Sequence, residues 1–312
     1  MNIIKLKNTR QEFADTMLEI GKRDKELTVM VGDISHGILK EFANKCKNQY
    51  INLGILEPTM ISMGAGFSKT GLNPVLHTIS PFIIERSFEQ IKLDFCYHKL
   101  SGNIITVGGA FDYSNLGCSH HCYGDFSLMK TLPHVNIFNP ASAIEFNELF
   151  KQNYKSKKLN YFRLSGNNHG YKFNRNQIKT GKPIKILDGN DLTILVVGSQ
   201  LKNCIKVVKK LKENKIKCDL FYFHSIRPLD LGSIKKSINK NKRVVVVEEH
   251  ITSGGLYEDI LKNFYKIKNS DFLHICIKEF ITGYGTYDDL CKEAGLDYKS
   301  IYKKIAKFTY KK

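Results

Sequence analysis

The sequence predicts an α/β protein of two successive units, each with a mostly parallel sheet and helices on both faces. Three observations carry this. Short runs rich in Val, Ile, Leu and Phe alternate along the chain with amphipathic stretches of helical length, the pattern of parallel strands joined by crossover helices. A segment rich in Gly, Asn and Lys, Gly166 to Lys182, interrupts that alternation and reads as a linker. At 312 residues the chain can bury a core large enough to divide into two. The units are expected over residues 1–170 and 183–312.

The elements follow in order. Arg10 to Arg23 is amphipathic and reads as a helix; Leu27 to Gly32 reads as a strand running into Asp33-Ile34-Ser35. An acid directly after a strand lies where α/β folds collect ligand contacts, although strand-end turns also use Asp for their own geometry. Tyr50-Ile-Asn-Leu is a β-prone run, and Gly54-Ile-Leu-Glu57-Pro58 leads from it into a helix reaching Lys69. Pro58 suits the first turn, because its missing N–H would find no partner there. The residues behind it are small or apolar (Met60, Ile61, Met63, Gly64, Ala65, Gly66, Phe67), so this helix is expected to be buried. Glu57 then stands near the N-cap, extended as a residue before proline prefers. It is either an acid capping backbone N–H groups or one kept for chemistry.

Asn73 to Thr78 and Asn103 to Gly108 are further strands, the first followed by Ser80-Pro-Phe82-Ile-Ile-Glu-Arg86-Ser-Phe88-Glu-Gln90. An acid and an aromatic side chain brought together would suit a flat, basic heteroaromatic ring, one bonding a ring nitrogen and the other packing on its face. Val135 to Phe138 and Tyr161 to Leu164 complete the first unit. In the second, Leu192 to Val197, Cys218 to Phe223 and Val244 to Glu248 read as strands, Leu201 to Lys212 as a helix, and Gly254-Gly255 opens another.

Composition excludes several classes. Hydrophobic content of 42% and charged content of 25% are ordinary for a globular protein. Met1 to Arg10 has no apolar leader core, and no apolar run approaches the roughly 20 residues of a membrane span. The eight cysteines are scattered without disulfide-framework spacing, which reads as reduced thiols of a cytoplasmic protein with no membrane partner. The net charge of +18 is mostly lysine at surface-type positions such as Lys206, Lys209, Lys210, Lys212 and Lys215. No nucleic-acid motif accompanies it, so a solvated surface or one facing an acidic partner is expected.

Two clusters invite chemistry. Cys118, His120, His121 and Cys122 are too crowded for usual zinc spacings, so no metal site is expected there; an imidazole lining a polar pocket fits better. Glu248-Glu249-His250 ends a buried strand and reads as structural or interfacial rather than as an acid–base pair. Glycine-rich phosphate cradles are absent from the sequence: no Gly-x-Gly-x-x-Gly follows a strand and there is no Walker motif.

Taken together, these segments resemble the C-terminal half of transketolase, its pyrimidine-binding and C-terminal domains, over almost the whole chain. Gly54-Ile-Leu-Glu57 is similar to the family's Gly-Ile-x-Glu, and Ser80-Pro-Phe82 with Arg86-Ser-Phe88-Glu-Gln90-Ile is similar to its aromatic segment. Gly117-x-Ser-His120 with Asp125 and Leu132-Pro133 resembles its Gly-x-Ser/Thr-His loop. Val197-Gly-Ser199, His224-Ser-Ile-Arg-Pro228-Leu-Asp230 and Val-Glu248-Glu249-His250 with Gly254-Gly255-Leu follow in the family's order.

The resemblance implies a thiamine-diphosphate-binding fold followed by a transketolase C-terminal-like domain, with the cofactor held between two subunits. It implies that Glu57 bonds the aminopyrimidine N1′, that Phe82 stacks on the pyrimidine with Phe88 in the same aromatic segment, and that Asp33 and Ile34 lie near the thiazolium. It implies that His120 faces the sugar hydroxyls while a two-carbon ketol unit passes from a ketose donor to an aldehyde or sugar acceptor. The family's Gly-Asp-Gly…Asn motif for Mg²⁺ and the diphosphate is missing. The chain is thus expected to be the smaller subunit of a split transketolase, inactive alone, whose N-terminal-half partner holds Mg²⁺ in an α2β2 assembly.

Departures from the family bear on substrate. Gly108 stands where a His is usual, Leu116 where an Asp is, Gly166 where an arginine is, and Gly37 where a serine is. Losing an arginine clamp removes charge-assisted bonds of roughly 1.5–3 kcal/mol each. An unusual sugar is therefore expected, such as a nucleotide-linked or deoxy sugar of surface-glycan synthesis. Two alternatives share the architecture: the beta subunit of a 2-oxo-acid dehydrogenase decarboxylase component, and a scaffolding paralogue that has lost catalysis.

Overall fold

Alternation along the strands divides the apolar side chains into two layers, and this sets the architecture. The computed structural model describes residues 7–310; the leader reading of Met1 to Arg10 falls mostly outside them. The first sheet holds β1 (Leu27–Val31), β2 (Tyr50–Asn52), β3 (Asn73–Ile79), β4 (Gly102–Val107), β5 (Val135–Phe138) and β6 (Leu159–Arg163). The second holds β7 (Ile184–Leu187), β8 (Leu192–Val197) and β9 (Cys218–Phe223). After β10 (Ser225–Arg227), β11 (Arg243–Ile251) and β12 (Asp271–Ile277) complete it.

The orders are β10-β5-β6-β4-β3-β1-β2 and β12-β11-β8-β9-β7. All pairings are parallel except β10 with β5 and β7 with β9. Val29, Val31, Val75 and Ile105 share one apolar cluster with Ile194, Val196 and Val245. Met30, Leu76 and Ile104 share the other with Leu195, Val197 and Val246. Each cluster therefore runs through both units. The helix Thr9–Gly21 begins at Asn8, whose side chain accepts from the Arg10 and Gln11 N–H groups, a standard N-cap. Lys206, Lys209, Lys210 and Lys212 lie exposed along the helix Leu201–Glu213. No helix among the described residues is long and apolar enough to cross a membrane.

Two features differ from the sequence reading. The stretch Gly166 to Lys182 is packed rather than free: His169, Phe173 and Ile178 are buried. His169 accepts from the Tyr171 N–H at Nδ1, so its Nε2 donates to Glu145 Oε1 (2.6 Å), while the Tyr222 hydroxyl donates to Glu145 Oε2 (2.7 Å). Three anchoring residues in a polar segment leave little trace in composition. The strand β10 belongs by sequence to the second unit but pairs antiparallel with β5 of the first sheet.

A buried polar seam joins the units. Arg163, at the end of β6, donates to Asp125 Oδ1 (3.1 Å) and to the Glu249 carbonyl (2.8 Å), and its guanidinium lies over Phe126 at 4.6 Å. The Tyr161 hydroxyl fills Asp125 Oδ2 (2.6 Å). Phe126 stacks in turn on His250, centroids 5.0 Å apart. A Cβ on Gly109 would collide with the Arg163 side chain, so this guanidinium needs glycine beside it. Glu248 caps the helix Leu256–Phe264, accepting from Leu256 N (2.7 Å) and Tyr257 N (3.1 Å). Glu249 accepts from Gln200 Nε2 (2.8 Å) and the Tyr287 hydroxyl. Both acids are engaged in structure. Replacing Arg163 by Met would leave Asp125 buried without its cation, so a loss of about 3–5 kcal/mol is expected from urea unfolding.

Candidate active site

The site gathers at the carboxyl ends of the first sheet's strands, where parallel α/β folds present ligand-binding loops. Glu57 opens the helix Glu57–Lys69 and is 1% exposed. It is the first helical residue rather than the extended one before it; Leu56 takes the N-cap and has no capping side chain. The Glu57 carboxylate does not cap the helix. Its hydrogen-bond partner is Arg86, whose Nη1 donates to Oε2 at 3.0 Å.

After β3 the chain winds through wide π-type turns, Pro81–Glu85 and Ile91–Tyr97, on either side of Phe88–Gln90. Such turns recur at functional sites because the extra residue re-aims side chains. Here Phe82 and Arg86 come to lie one over the other, the guanidinium carbon 4.5 Å from the ring centroid. His120 sits in the turn Cys118–His120 with its ring edge-on to Phe82, centroids 5.2 Å apart, and Nδ1 3.1 Å from the Ser119 hydroxyl. Paired backbone bonds between Ala110 and Cys122 pin that loop. Glu57, Arg86, Phe82 and His120 thus form one connected surface.

Asp33 joins this region through Asn52. The Asn52 side-chain Oδ1 accepts from the Asp33 N–H (3.2 Å) and the Gly54 N–H (3.0 Å), and its Nδ2 donates to Asp33 Oδ1 (3.2 Å). Asn52 so ties the loop after β1 to the segment entering Glu57. Asp33 and Ser35 both hold left-handed backbone, φ 54° and 60°, a cost tolerated where surroundings fix the loop. Ile34 packs on the first apolar cluster and Phe88 on the second. The four residues of the Cys118–Cys122 loop do not converge. Cys118 is exposed, His121 Nδ1 meets the Tyr123 hydroxyl at 2.5 Å, and Cys122 Sγ points to Glu85 at 3.4 Å. No group of three or more His, Cys, Asp and Glu among the described residues is arranged to hold a metal ion.

Sequence reasoning missed a polar chain beside this surface. Arg10 Nη2 donates to the Ser35 hydroxyl (2.8 Å). His77 Nδ1 donates to the Ile105 carbonyl (2.8 Å), which leaves Nε2 to accept from Ser35 (2.8 Å). Burial holds His77 far below its ordinary range, at about 3. Thr9 binds the Ser165 carbonyl (2.7 Å), so Arg10 stands between the loops carrying Gly37 and Gly166. A Cβ at either glycine would meet nothing within 4 Å; both places are open. Gly108, at φ +73°, is covered by the Tyr113 ring, which would lie 2.6 Å from a Cβ there. No spacing in the sequence signals these contacts, which join the first helix, a loop and a strand.

The arrangement defines a two-domain α/β chain with an acid-and-aromatic site at the rim of its first sheet. Residues 5–170 match the family model for the transketolase pyrimidine-binding domain, and residues 181–301 that for the transketolase C-terminal domain. The chain belongs to the transketolase family, whose cofactor is thiamine diphosphate. It is 30% identical to an apulose-4-phosphate transketolase subunit of Phocaeicola vulgatus over 250 residues, 79% of this chain and 80% of that one. It is 29% identical over 307 residues to a putative transketolase C-terminal section of Methanocaldococcus jannaschii, 96% of this chain and 95% of that one. A solved structure titled as a split gene transketolase, inactive beta4 tetramer, shares the fold with a TM-score of 0.88 at 24% identity, over 97% of this chain and 98% of that one.

The depressed His77 gives a pH expectation. Its folded value lies below the ordinary 6.5, so the unfolded chain takes up the proton first. The contribution is whole above about pH 6.5 and shrinks as pH falls toward about 3. The melting temperature should fall between pH 6.5 and 4, and His77→Asn should flatten that slope; an unchanged slope in the variant would exclude His77 as its source.

Proposed function

We propose that this chain is the ring-binding half of a two-component transketolase, active when joined to an N-terminal-half chain in an α2β2 assembly. That partner would hold the diphosphate and its Mg²⁺. One arrangement carries the reading: the Glu57 carboxylate, buried at the head of its helix, and the Phe82 ring are both engaged by the Arg86 guanidinium, with His120 edge-on to the same ring. A carboxylate next to an aromatic face meets both demands of an aminopyrimidine. The ring end of thiamine diphosphate therefore fits the residues present.

Bound thiamine diphosphate supplies the carbon nucleophile that carries a two-carbon ketol unit from a ketose to an aldehyde. Glu57 would hold a proton between its carboxylate and the pyrimidine N1′. Phe82 would pack on the ring, with Phe88 supporting it from the apolar cluster behind. Asp33 and Ile34 would border the thiazolium. His120, its Nδ1 beside Ser119, would offer Nε2 to the sugar hydroxyls.

The sugar end supports a non-standard substrate. Gly37 and Gly166 leave open space, Tyr113 covers Gly108, and Leu116 is 46% exposed. Arg10, held at Ser35 between those openings, keeps one guanidinium there. A room of this kind suits a nucleotide-linked or deoxy sugar better than a site closed around a small sugar phosphate.

Calorimetry of thiamine diphosphate with Mg²⁺ tests the split. Binding by the mixture with the partner half, and none by this chain alone, is expected; tight binding by this chain alone would mean a diphosphate site within it and end the half-enzyme reading. Glu57→Gln should lower turnover of the assembled enzyme by at least about 100-fold while leaving the assembly intact on gel filtration. Near-normal turnover would remove Glu57 from the chemistry. Turnover of pyruvate with a lipoyl acceptor, and not of ketoses, would move the chain to the 2-oxo-acid dehydrogenases.

A further inference from the structure

We infer that Arg86 competes with the cofactor's ring for Glu57 and Phe82, and so sets how tightly the assembled enzyme takes up thiamine diphosphate. The inference rests on the reading of those two residues as the ring site. A guanidinium is flat, cationic and edged with N–H donors. It satisfies a carboxylate through its edge and an aromatic ring through its face, as an aminopyrimidine does. Arg86 makes both contacts at once: Nη1 reaches Glu57 Oε2 at 3.0 Å and the guanidinium carbon stands 4.5 Å from the Phe82 centroid.

The partners differ in freedom. Glu57 is fixed at the head of a helix, its side chain 2% exposed, whereas the Arg86 side chain is 49% exposed. A carboxylate so buried needs a partner while no ring is bound, and Arg86 supplies one. The backbone beneath does not have to move. Ser87 is buried and its hydroxyl donates to the Phe82 carbonyl (3.2 Å), while Glu85 turns the other way toward Cys122. Only the exposed arm has to swing out. A half-exposed ion pair is weak and salt-screened, so the contact delays and weakens cofactor uptake without blocking it. Apparent affinity falls by the fraction of molecules in which Glu57 is free.

The test is calorimetric titration of thiamine diphosphate with Mg²⁺ into the assembled complex, comparing wild type with Arg86→Ala and Arg86→Lys. Arg86→Ala should bind roughly tenfold tighter, and the gap should narrow as salt rises. Arg86→Lys, which keeps the charge but loses the flat fork, should fall between the two. Unchanged or weaker binding by folded Arg86→Ala overturns the inference, because the guanidinium would then be idle or would help to hold the ring. Should Arg86→Ala fail to assemble, Arg86→Lys decides alone: tighter than wild type supports the competition, equal or weaker overturns it. If the wild-type complex itself binds no thiamine diphosphate, the reading of the site fails and the inference falls with it. That outcome is distinct from wild-type binding left untouched by the substitutions.

Discussion

Arg163 is the constraint on which the relation between the two sheets depends. Its guanidinium is buried where β6 of the first sheet meets β11 of the second, and a charge there persists only because its N–H groups are satisfied from both sides. Asp125 supplies one acceptor and the Glu249 carbonyl the other. Asp125 begins the helix Asp125–Thr131, the element directly after the His120 loop. The second unit grips this helix again along its length: Ser127 N donates to His250 Nε2 (3.3 Å), Lys130 binds the Gly255 carbonyl (2.9 Å), and Arg227 binds the Leu132 carbonyl (2.8 Å). The helix that follows the candidate sugar-facing loop is therefore set by the second unit. What looks like a dispensable C-terminal domain serves as the frame for one wall of the site.

The opposite wall depends on different physics. Around β1 and β3 the fixing bonds all lie within the first unit: Asn52 to Asp33 and Gly54, Ser35 to His77, and Ser80 to Thr106 (2.7 Å). They hold left-handed residues at Asp33 and Ser35 that would relax if left alone. A neutral, buried His77 is what lets Ser35 face Arg10: the hydroxyl donates a hydrogen bond to the imidazole Nε2 and turns a lone pair to the guanidinium. One wall is thus positioned by long-range packing between units, the other by a chain of hydrogen bonds within one.

Most of the fold is legible in the sequence because buried parallel strands write themselves as short runs dominated by apolar residues. Leu192–Val197, Cys218–Phe223 and Val135–Phe138 are bounded correctly in the sequence, each carrying a single polar residue (Thr193, Asp219 and Asn136) among apolar neighbours. The elements that escape such a reading are those in which periodicity is weak. β10 is only three residues long, and β12 begins exposed, with Asp271 and His274 breaking its apolar run. Within the site, Glu57, Phe82 and His120 are legible because a resemblance marks them. Arg10, Ser35 and His77 are not: residues so far apart in sequence meet only once β1 and β3 pair, and no local pattern encodes that meeting. Sequence proximity groups Phe88 with Phe82, whereas the turn between them sends it into the apolar cluster.

The two ends of the site now separate by the kind of residue that builds them. At the ring end each group is large, buried or paired: a carboxylate in a helix head, an aromatic ring, an arginine across both. At the proposed sugar end glycine stands at 37, 108 and 166. Where nothing fills the vacated volume, as at Gly37 and Gly166, a substrate group can enter; where a side chain does, as Tyr113 does over Gly108, a phenol replaces whatever a longer residue would have offered. A phenol donates or accepts one hydrogen bond and carries no charge near neutrality, more so here because burial pushes its pKa up. Under the proposed reading this end would discriminate by shape and hydroxyl contacts, with Arg10, held at Ser35, as its cation. Changes at Gly37 and Gly166, where a Cβ meets nothing within 4 Å, would therefore reshape the proposed sugar end without disturbing the acid and ring on which cofactor chemistry would depend.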